Sequence, residues 1–131
     1  MAIGRHLIAD FYFCEGSFLD DASSLEREMV HAARSAGAEV RQTCFHRFQP
    51  YGVSGVVIIS ESHLAVHTYP ELGYAALDCF TCGRSIDPRM VCELLVASFK
   101  PKVVATECFT RGQHLNPDAD LSPSAPPPQV I

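Results

Sequence analysis

One stretch of the chain, SGVVIISESHLAVHTYPE at residues 54–71, constrains the fold more than any other. Its first half is a short apolar run rich in β-branched residues, which is typical of a buried β-strand. The run leads into an acid, a hydroxyl and an imidazole, Glu61, Ser62 and His63, and a second imidazole follows at His67. The stretch therefore predicts either a polar turn at a sheet edge or a set of residues that act on Ser62.

The segments around this stretch predict further strands and two helices. Alternating apolar residues and short apolar runs indicate strands at residues 5–13, 39–48, 53–60, 65–68, 73–82 and 102–110. Asp20 and Asp21 are predicted N-caps of a helix over residues 22–36, and Asp87-Pro88 begins a second helix that ends near Lys100.

This order of elements predicts the fold class α+β, a two-layer sandwich with two helices on one face of a mainly antiparallel sheet. The other face of the sheet would need a partner, which favours a dimer. The 131 residues fit one domain, which we expect at residues 1–111. Residues 112–131 are rich in proline and small polar side chains, so we expect a disordered tail there.

The composition argues against a nucleic-acid-binding protein and against a membrane-spanning one. The hydrophobic fraction of 47% suffices for a core, and the charged fraction of 19% is low enough to favour a second buried surface. A net charge of −5 argues against a nucleic-acid binder, because no basic stripe is present to neutralise phosphates. No run approaches the roughly 20 apolar residues that a membrane helix needs.

The six cysteines are predicted to be reduced. No secretory signal precedes the domain, and Cys44, Cys79, Cys92 and Cys108 lie in apolar runs, so we expect a cytoplasmic protein in which most cysteines are small core residues. Cys79 and Cys82 have C-x-x-C spacing, but residues three apart on a strand point to opposite faces. No metal site is therefore predicted.

A serine hydrolase is a second reading of the same residues. The spacing of Ser62, His67 and Asp78 permits a Ser-His-Asp triad. The chain has no G-x-S-x-G motif and no glycine-rich oxyanion loop near Ser62, so we disfavour this alternative.

The ESHLAVHTYPE motif, with Ser54-Gly55 before it and DCFTCG at residues 78–83 after it, resembles the small prokaryotic S-adenosylmethionine decarboxylases. The resemblance runs from Gly4 to Gly112 and leaves only the proline-rich tail outside. It implies a proenzyme that cuts itself into residues 1–61 and 62–131. It also implies a pyruvoyl-dependent decarboxylase that converts S-adenosylmethionine to its decarboxylated form for spermidine biosynthesis.

The resemblance implies a role for each residue of the motif. Ser62 Oγ attacks the carbonyl of Glu61, and elimination and hydrolysis leave a covalent pyruvoyl group derived from Ser62. His67 matches the proton acceptor in that elimination, and Ser54 matches a residue that supports processing. Cys82 matches the proton donor to the substrate carbon after carbon dioxide has left.

The substrate and the partners are also inferred from the resemblance. Phe48 matches an aromatic residue near the adenine, and Glu71 an acid that bonds the ribose. The processed chains are expected to form a homodimer. Two alternatives remain open: a relative with the same cleavage motif that decarboxylates arginine or ornithine, and an unprocessed relative that serves as a binding or regulatory subunit.

The chemistry of decarboxylation explains why a pyruvoyl group is needed. Decarboxylation of an amino acid leaves a carbanion that no ordinary side chain can absorb, whereas a carbonyl that forms a Schiff base with the substrate amine can. A pyruvoyl group supplies that carbonyl without a bound cofactor. The chain has no phosphate-binding loop, and its only lysines are Lys100 and Lys102. We expect the apolar strand to hold the Glu61–Ser62 bond in a strained or oriented turn.

Overall fold

The computed structural model describes residues 3–112, so residues 113–131 of the predicted tail lie outside the described part of the chain. The strands are β1 (Gly4–Tyr12), β2 (Glu39–Arg47), β3 (Val53–Ser60), β4 (Ser62–Tyr69), β5 (Tyr74–Cys82) and β6 (Val103–Arg111). The helices are α1 (Gly16–Leu19), α2 (Ala22–Ser35) and α3 (Pro88–Phe99), with a 3₁₀ turn at Pro70–Leu72.

The strands form one sheet in the order β2-β3-β4-β5-β1-β6, and every neighbouring pair is antiparallel. Strands β3 and β4 form a tight hairpin with Glu61 as the residue between them. The pairing of Ile59 with Ser62 begins that hairpin, and Ser54 pairs with His67 at its other end. The predicted α+β sandwich with a mainly antiparallel sheet is confirmed.

The core lies between one face of the sheet and the helices. Strand side chains alternate between the two faces, so every second residue of β1 from Leu7 to Phe11 is buried under the helices. Helix α2 contributes Leu25 and Met29 to the same cluster, and α3 contributes Phe99. Full burial of a side chain of this size stabilises the fold by roughly 1.5–3 kcal/mol.

The opposite face, which we call the open face, is not covered by a helix of the described chain. It carries apolar side chains that are substantially exposed, including Ile8 at 38%, Ile58 at 41% and Phe109 at 47%. It also carries a polar network in which His6 Nε2 lies 3.1 Å from Asp78 Oδ2 and Arg111 donates to His6 Nδ1 at 3.0 Å. A mixed surface of this kind is typical of a face that binds another protein.

Two local predictions are corrected by the structure. The segment predicted as a short strand at residues 65–68 is the eight-residue β4, because it pairs along its length with both β3 and β5. Asp21 is the N-cap of α2 and accepts from the backbone N–H of Ser24 at 3.2 Å. Asp20 is not a second cap, since its carboxylate bonds Arg47 and Gly52 instead.

The prediction that most cysteines are core residues is only half right. All six are free, and Cys14, Cys79 and Cys92 are buried, whereas Cys44 and Cys108 are exposed. The exposed pair lies on β2 and β6, which are the two edge strands of the sheet and pack against fewer neighbours. Burial raises the pKa of the Cys79 thiol to about 12.

Between residues 3 and 112 there is no helix with both the length and the apolar character needed to cross a membrane.

Candidate active site

The β3–β4 hairpin places Ser62 in an unusual backbone conformation. Ser62 is the first residue of β4 and has a φ angle of +125°, a region that residues with a side chain rarely adopt. Such a conformation costs about 1–3 kcal/mol and persists only where neighbouring structure imposes it. Here the pairings of Ser62 with Ile59 on one side and Thr81 on the other impose it.

Cys82 is the side chain that contacts Ser62. It is the last residue of β5, and its Sγ lies 3.1 Å from Ser62 Oγ. Both residues are half-buried, so solvent and a small molecule can reach them. Cys79, three residues earlier on β5, is buried under the helices, which confirms that the two thiols of the C-x-x-C pair point to opposite faces.

A second group of predicted residues lies at the other end of the hairpin. Ser54 on β3 pairs with His67 on β4, and Ser54 Oγ lies 2.8 Å from His67 Nδ1. This hydrogen bond fixes the orientation of the imidazole ring, which is exposed on the open face. The imidazole of His67 is thus held in one orientation and accessible to solvent.

A pocket of about 260 Å³ joins this second group to the two predicted substrate residues. Phe48, Ser54, His67 and Glu71 all line it. Phe48 is 47% exposed, so one side of its ring is free to contact a ligand. The structure therefore brings together the predicted base, its serine partner and both predicted substrate contacts.

Asp20 holds one wall of this pocket in place. It accepts from the backbone N–H of Gly52 at 2.9 Å and from Arg47 Nη2 at 2.7 Å. These contacts tie the turn between β2 and β3, which carries Phe48, to the end of α1. Arg47 holds the pKa of the Asp20 carboxyl below its usual range, mainly through their side-chain hydrogen bond.

The two groups are separated within one chain. Ser62 begins β4 and His67 follows five residues later, which corresponds to about 17 Å along the strand. Glu61, Ser62 and Cys82 therefore form one half of the predicted site, and His67 with the pocket forms the other. The alternative triad is not assembled either, since Asp78 bonds His6 and pairs across the sheet with Ala65.

Two residues of the site were not predicted as such from the sequence. The sequence predicts Asp20 as a helix cap, because it lies just before the start of α2, and its contacts with Arg47 and Gly52 are visible only in the structure. Thr81 lies directly opposite Ser62, is fully buried, and its hydroxyl has no hydrogen-bond partner within residues 3–112. Strand alternation alone could have placed Thr81 on the buried face, but its position opposite Ser62 follows only from the register of β4 with β5.

The residues around position 62 fit a pyruvoyl group. Such a group needs a serine precursor, an accessible position for an amine substrate, and a nearby proton donor. Ser62 is half-buried in a strained backbone, and the Cys82 thiol lies within contact of its hydroxyl. In the described part of the chain, no three or more His, Cys, Asp or Glu side chains lie close enough together to hold a metal ion.

Comparisons with known proteins agree with this geometry. The family model described as S-adenosylmethionine decarboxylase matches residues 5–112. An S-adenosylmethionine decarboxylase proenzyme of Moorella thermoacetica is 53% identical over 85% of this chain and 89% of its own length. Its counterpart from Acetivibrio thermocellus is 54% identical over 81% of this chain and 86% of its own.

A solved structure is similar as well. The crystal structure of the adenosylmethionine decarboxylase from Aquifex aeolicus superposes with a TM-score of 0.83 and 26% identity, and covers 91% of this chain and 98% of that one. The matched region contains every residue of both halves of the site, from Phe48 to Cys82. The chain therefore belongs to the S-adenosylmethionine decarboxylase family.

Proposed function

We propose that this chain is a proenzyme that cleaves itself between Glu61 and Ser62 and then decarboxylates S-adenosylmethionine. The observation that carries the proposal is the contact between Ser62 Oγ and Cys82 Sγ at the strained start of β4. Family membership adds the substrate, which the names of the relatives state for those proteins. The product is decarboxylated S-adenosylmethionine, the aminopropyl donor for spermidine synthesis.

The cleavage uses atoms of the hairpin itself. Ser62 Oγ bonds to the Glu61 carbonyl carbon, the carbon–nitrogen bond breaks, and the nitrogen receives the hydroxyl proton, which converts the amide to an ester. A base then removes the α-proton of Ser62, the Cβ–Oγ bond breaks, and Glu61 leaves as a carboxylate. Water then hydrolyses the unsaturated residue that remains at position 62, and its nitrogen leaves as ammonia. The products are residues 1–61 and residues 62–131, the second with a pyruvoyl group at its start.

The side chains of both groups of predicted residues have defined tasks in this scheme. His67 is the base for the α-proton, and Ser54 orients it through the 2.8 Å bond to Nδ1. Cys82 holds a proton on Sγ beside position 62 and delivers it to the substrate carbon once carbon dioxide has left. A pyruvoyl group at position 62 would supply a carbonyl that can bind the substrate amine and act as an electron sink for decarboxylation.

The separation of Ser62 from His67 supports a homodimer with shared sites. If two copies stack their open faces about a two-fold axis, His67 of a second copy can lie at Ser62 of the first, and the reverse contact follows by symmetry. Stacked sheets lie about 10 Å apart, close enough for side chains of both to meet. The exposed Ile8, Ile58 and Phe109 would be covered by the same contact.

The substrate contacts belong to the pocket half of the site. We place the adenine against the exposed ring of Phe48 and the ribose hydroxyls at Glu71, because both residues line the pocket that contains His67. The exposed aromatic face of Phe48 favours a nucleoside over the flexible tail of arginine or ornithine, because an adenine can stack on it. A catalytic free thiol at Cys82 also suits a reducing compartment such as the cytoplasm.

The test is carbon dioxide release from carboxyl-labelled substrates by the purified, processed protein. We expect release from S-adenosylmethionine, and none above background from arginine or ornithine. The S62A variant, which cannot form the pyruvoyl group, is the control and should release nothing. Release from arginine or ornithine in preference to S-adenosylmethionine would contradict the proposed substrate.

A further inference from the structure

The side chain of Thr81 is a direct neighbour of the proposed cleavage site. Thr81 on β5 pairs with Ser62 on β4, and its exposed fraction is 0%. Directly opposite residues of an antiparallel pair have Cβ atoms about 4.5–5.5 Å apart. By strand alternation Thr81 lies on the helical face with Leu77 and Cys79, whereas Cys82 approaches Ser62 from the open face.

The hydroxyl of Thr81 has no hydrogen-bond partner among the residues that the structure describes. The other buried threonine, Thr68, shows the usual arrangement: it donates to the carbonyl of Leu19 at 2.7 Å and accepts from the N–H of Val53 at 2.9 Å. A buried hydroxyl without a partner destabilises a fold, and valine has nearly the same shape without that cost. Stability of the intact chain therefore does not explain a threonine at this position.

The cleavage reaction supplies a partner for this hydroxyl. When Ser62 Oγ adds to the Glu61 carbonyl carbon, a proton leaves Oγ to a base and an electron pair moves onto the Glu61 carbonyl oxygen. Negative charge then appears one residue from the position that faces Thr81. A buried donor with no competing acceptor stabilises such a charge without reorganisation, as in other acyl-transfer sites.

We propose that Thr81 is a residue of the self-cleavage reaction, whose hydroxyl donates a hydrogen bond to the Glu61 carbonyl oxygen as Ser62 attacks it. This inference rests on the proposed function, because it concerns the same cleavage. The Thr81 hydroxyl would then act from the helical face of the sheet, whereas Cys82 and His67 act from the open face.

The test compares cleavage rates of variants made by cell-free synthesis, with the intact and cleaved chains followed by mass spectrometry. Removal of the donor in T81V should slow cleavage on the order of 100-fold. T81S keeps the hydroxyl and should cleave close to the wild-type rate. T43V is the matched control, since Thr43 lies on β2, bonds Glu26 and pairs with Val57 rather than with a residue of the hairpin turn; its rate should equal that of the wild type.

A second readout separates a chemical role from a structural one. In the uncleavable S62A background, T81V should leave the thermal unfolding midpoint unchanged or higher. Cleavage of T81V at the wild-type rate would overturn the inference and leave the proposed function standing. Equal slowing of cleavage in T81V and T81S, together with a lowered thermal unfolding midpoint, would also overturn the inference, because that result indicates that Thr81 acts through packing alone. A wild-type chain that stays intact overturns the proposed function and this inference with it.

Discussion

Ser62 and His67 lie on the same strand, β4, and about 17 Å of strand separates them. Ser62 contacts Cys82, and His67 contacts Ser54, so each has its own partner at its own end of the hairpin. A base that far away cannot take a proton from Ser62 of the same chain. The separation is consistent with two half-sites that are completed by a second copy.

Shared sites predict that two inactive variants restore each other. We expect S62A and H67A to stay uncleaved when each is produced alone. When both are produced together, the H67A chain should be cleaved in mixed dimers, because it keeps Ser62 and receives His67 from its partner. Mass spectrometry of differently tagged chains distinguishes the two. If neither chain is cleaved in verified mixed dimers, the two half-sites do not combine in the proposed way.

The position of Cys82 predicts that cleavage and turnover can be separated. C82A should still cleave at Glu61–Ser62, while turnover of S-adenosylmethionine falls by about 10²–10⁴-fold through loss of the proton donor. C79A is the control on the same strand, since Cys79 is buried on the other face and burial raises its pKa to about 12. Equal turnover losses in C79A and C82A would argue against a specific role for Cys82.

Thr68 predicts a stability effect in the hairpin. Its buried hydroxyl bridges the carbonyl of Leu19 and the N–H of Val53, so T68V leaves both backbone groups without that partner. We expect the free energy of unfolding to fall by about 1–3 kcal/mol in urea titrations made in the S62A background. An unchanged midpoint would show that these two bonds contribute little.

The ion pair of Asp20 with Arg47 predicts a pH dependence of stability. The hydrogen bond from Arg47 lowers the pKa of Asp20 in the folded chain. The contribution of Asp20 to the stability of the fold is therefore present above its unfolded-state pKa of about 3.9. It is lost as the pH falls through the pKa of the folded chain, which is lower. Thermal midpoints of S62A should fall more steeply below pH 4 than those of S62A/D20N, and parallel curves would contradict this assignment.

Local sequence signals predicted most of the fold. Apolar alternation placed the strands, and Asp21 and Asp87-Pro88 placed the helix starts within a residue, because these signals act over a few neighbouring positions. The exposure of Cys44 and Cys108 was not predictable in this way, since it depends on which strands become the edges of the sheet. Edge positions follow from strand order, which is a property of the whole chain.

The site was predictable in its residues and less so in its arrangement. The motif singled out Ser62 and His67, but their separation depends on β4 being one continuous strand from Ser62 to Tyr69. The interpretation of residues 65–68 as a short strand hid that distance. Thr81 was missed because a threonine in an alternating strand is unremarkable until its register with Ser62 and its unpartnered hydroxyl are known.

The intact mass of the purified protein under denaturing, reducing conditions is the direct test of self-cleavage at Glu61–Ser62. Self-cleavage predicts two species, residues 1–61 and residues 62–131, with the second blocked at its start by a pyruvoyl group. The S62A chain should remain a single species under the same conditions. A wild-type protein that persists as one species of 14.3 kDa after long incubation would contradict self-cleavage at Glu61–Ser62.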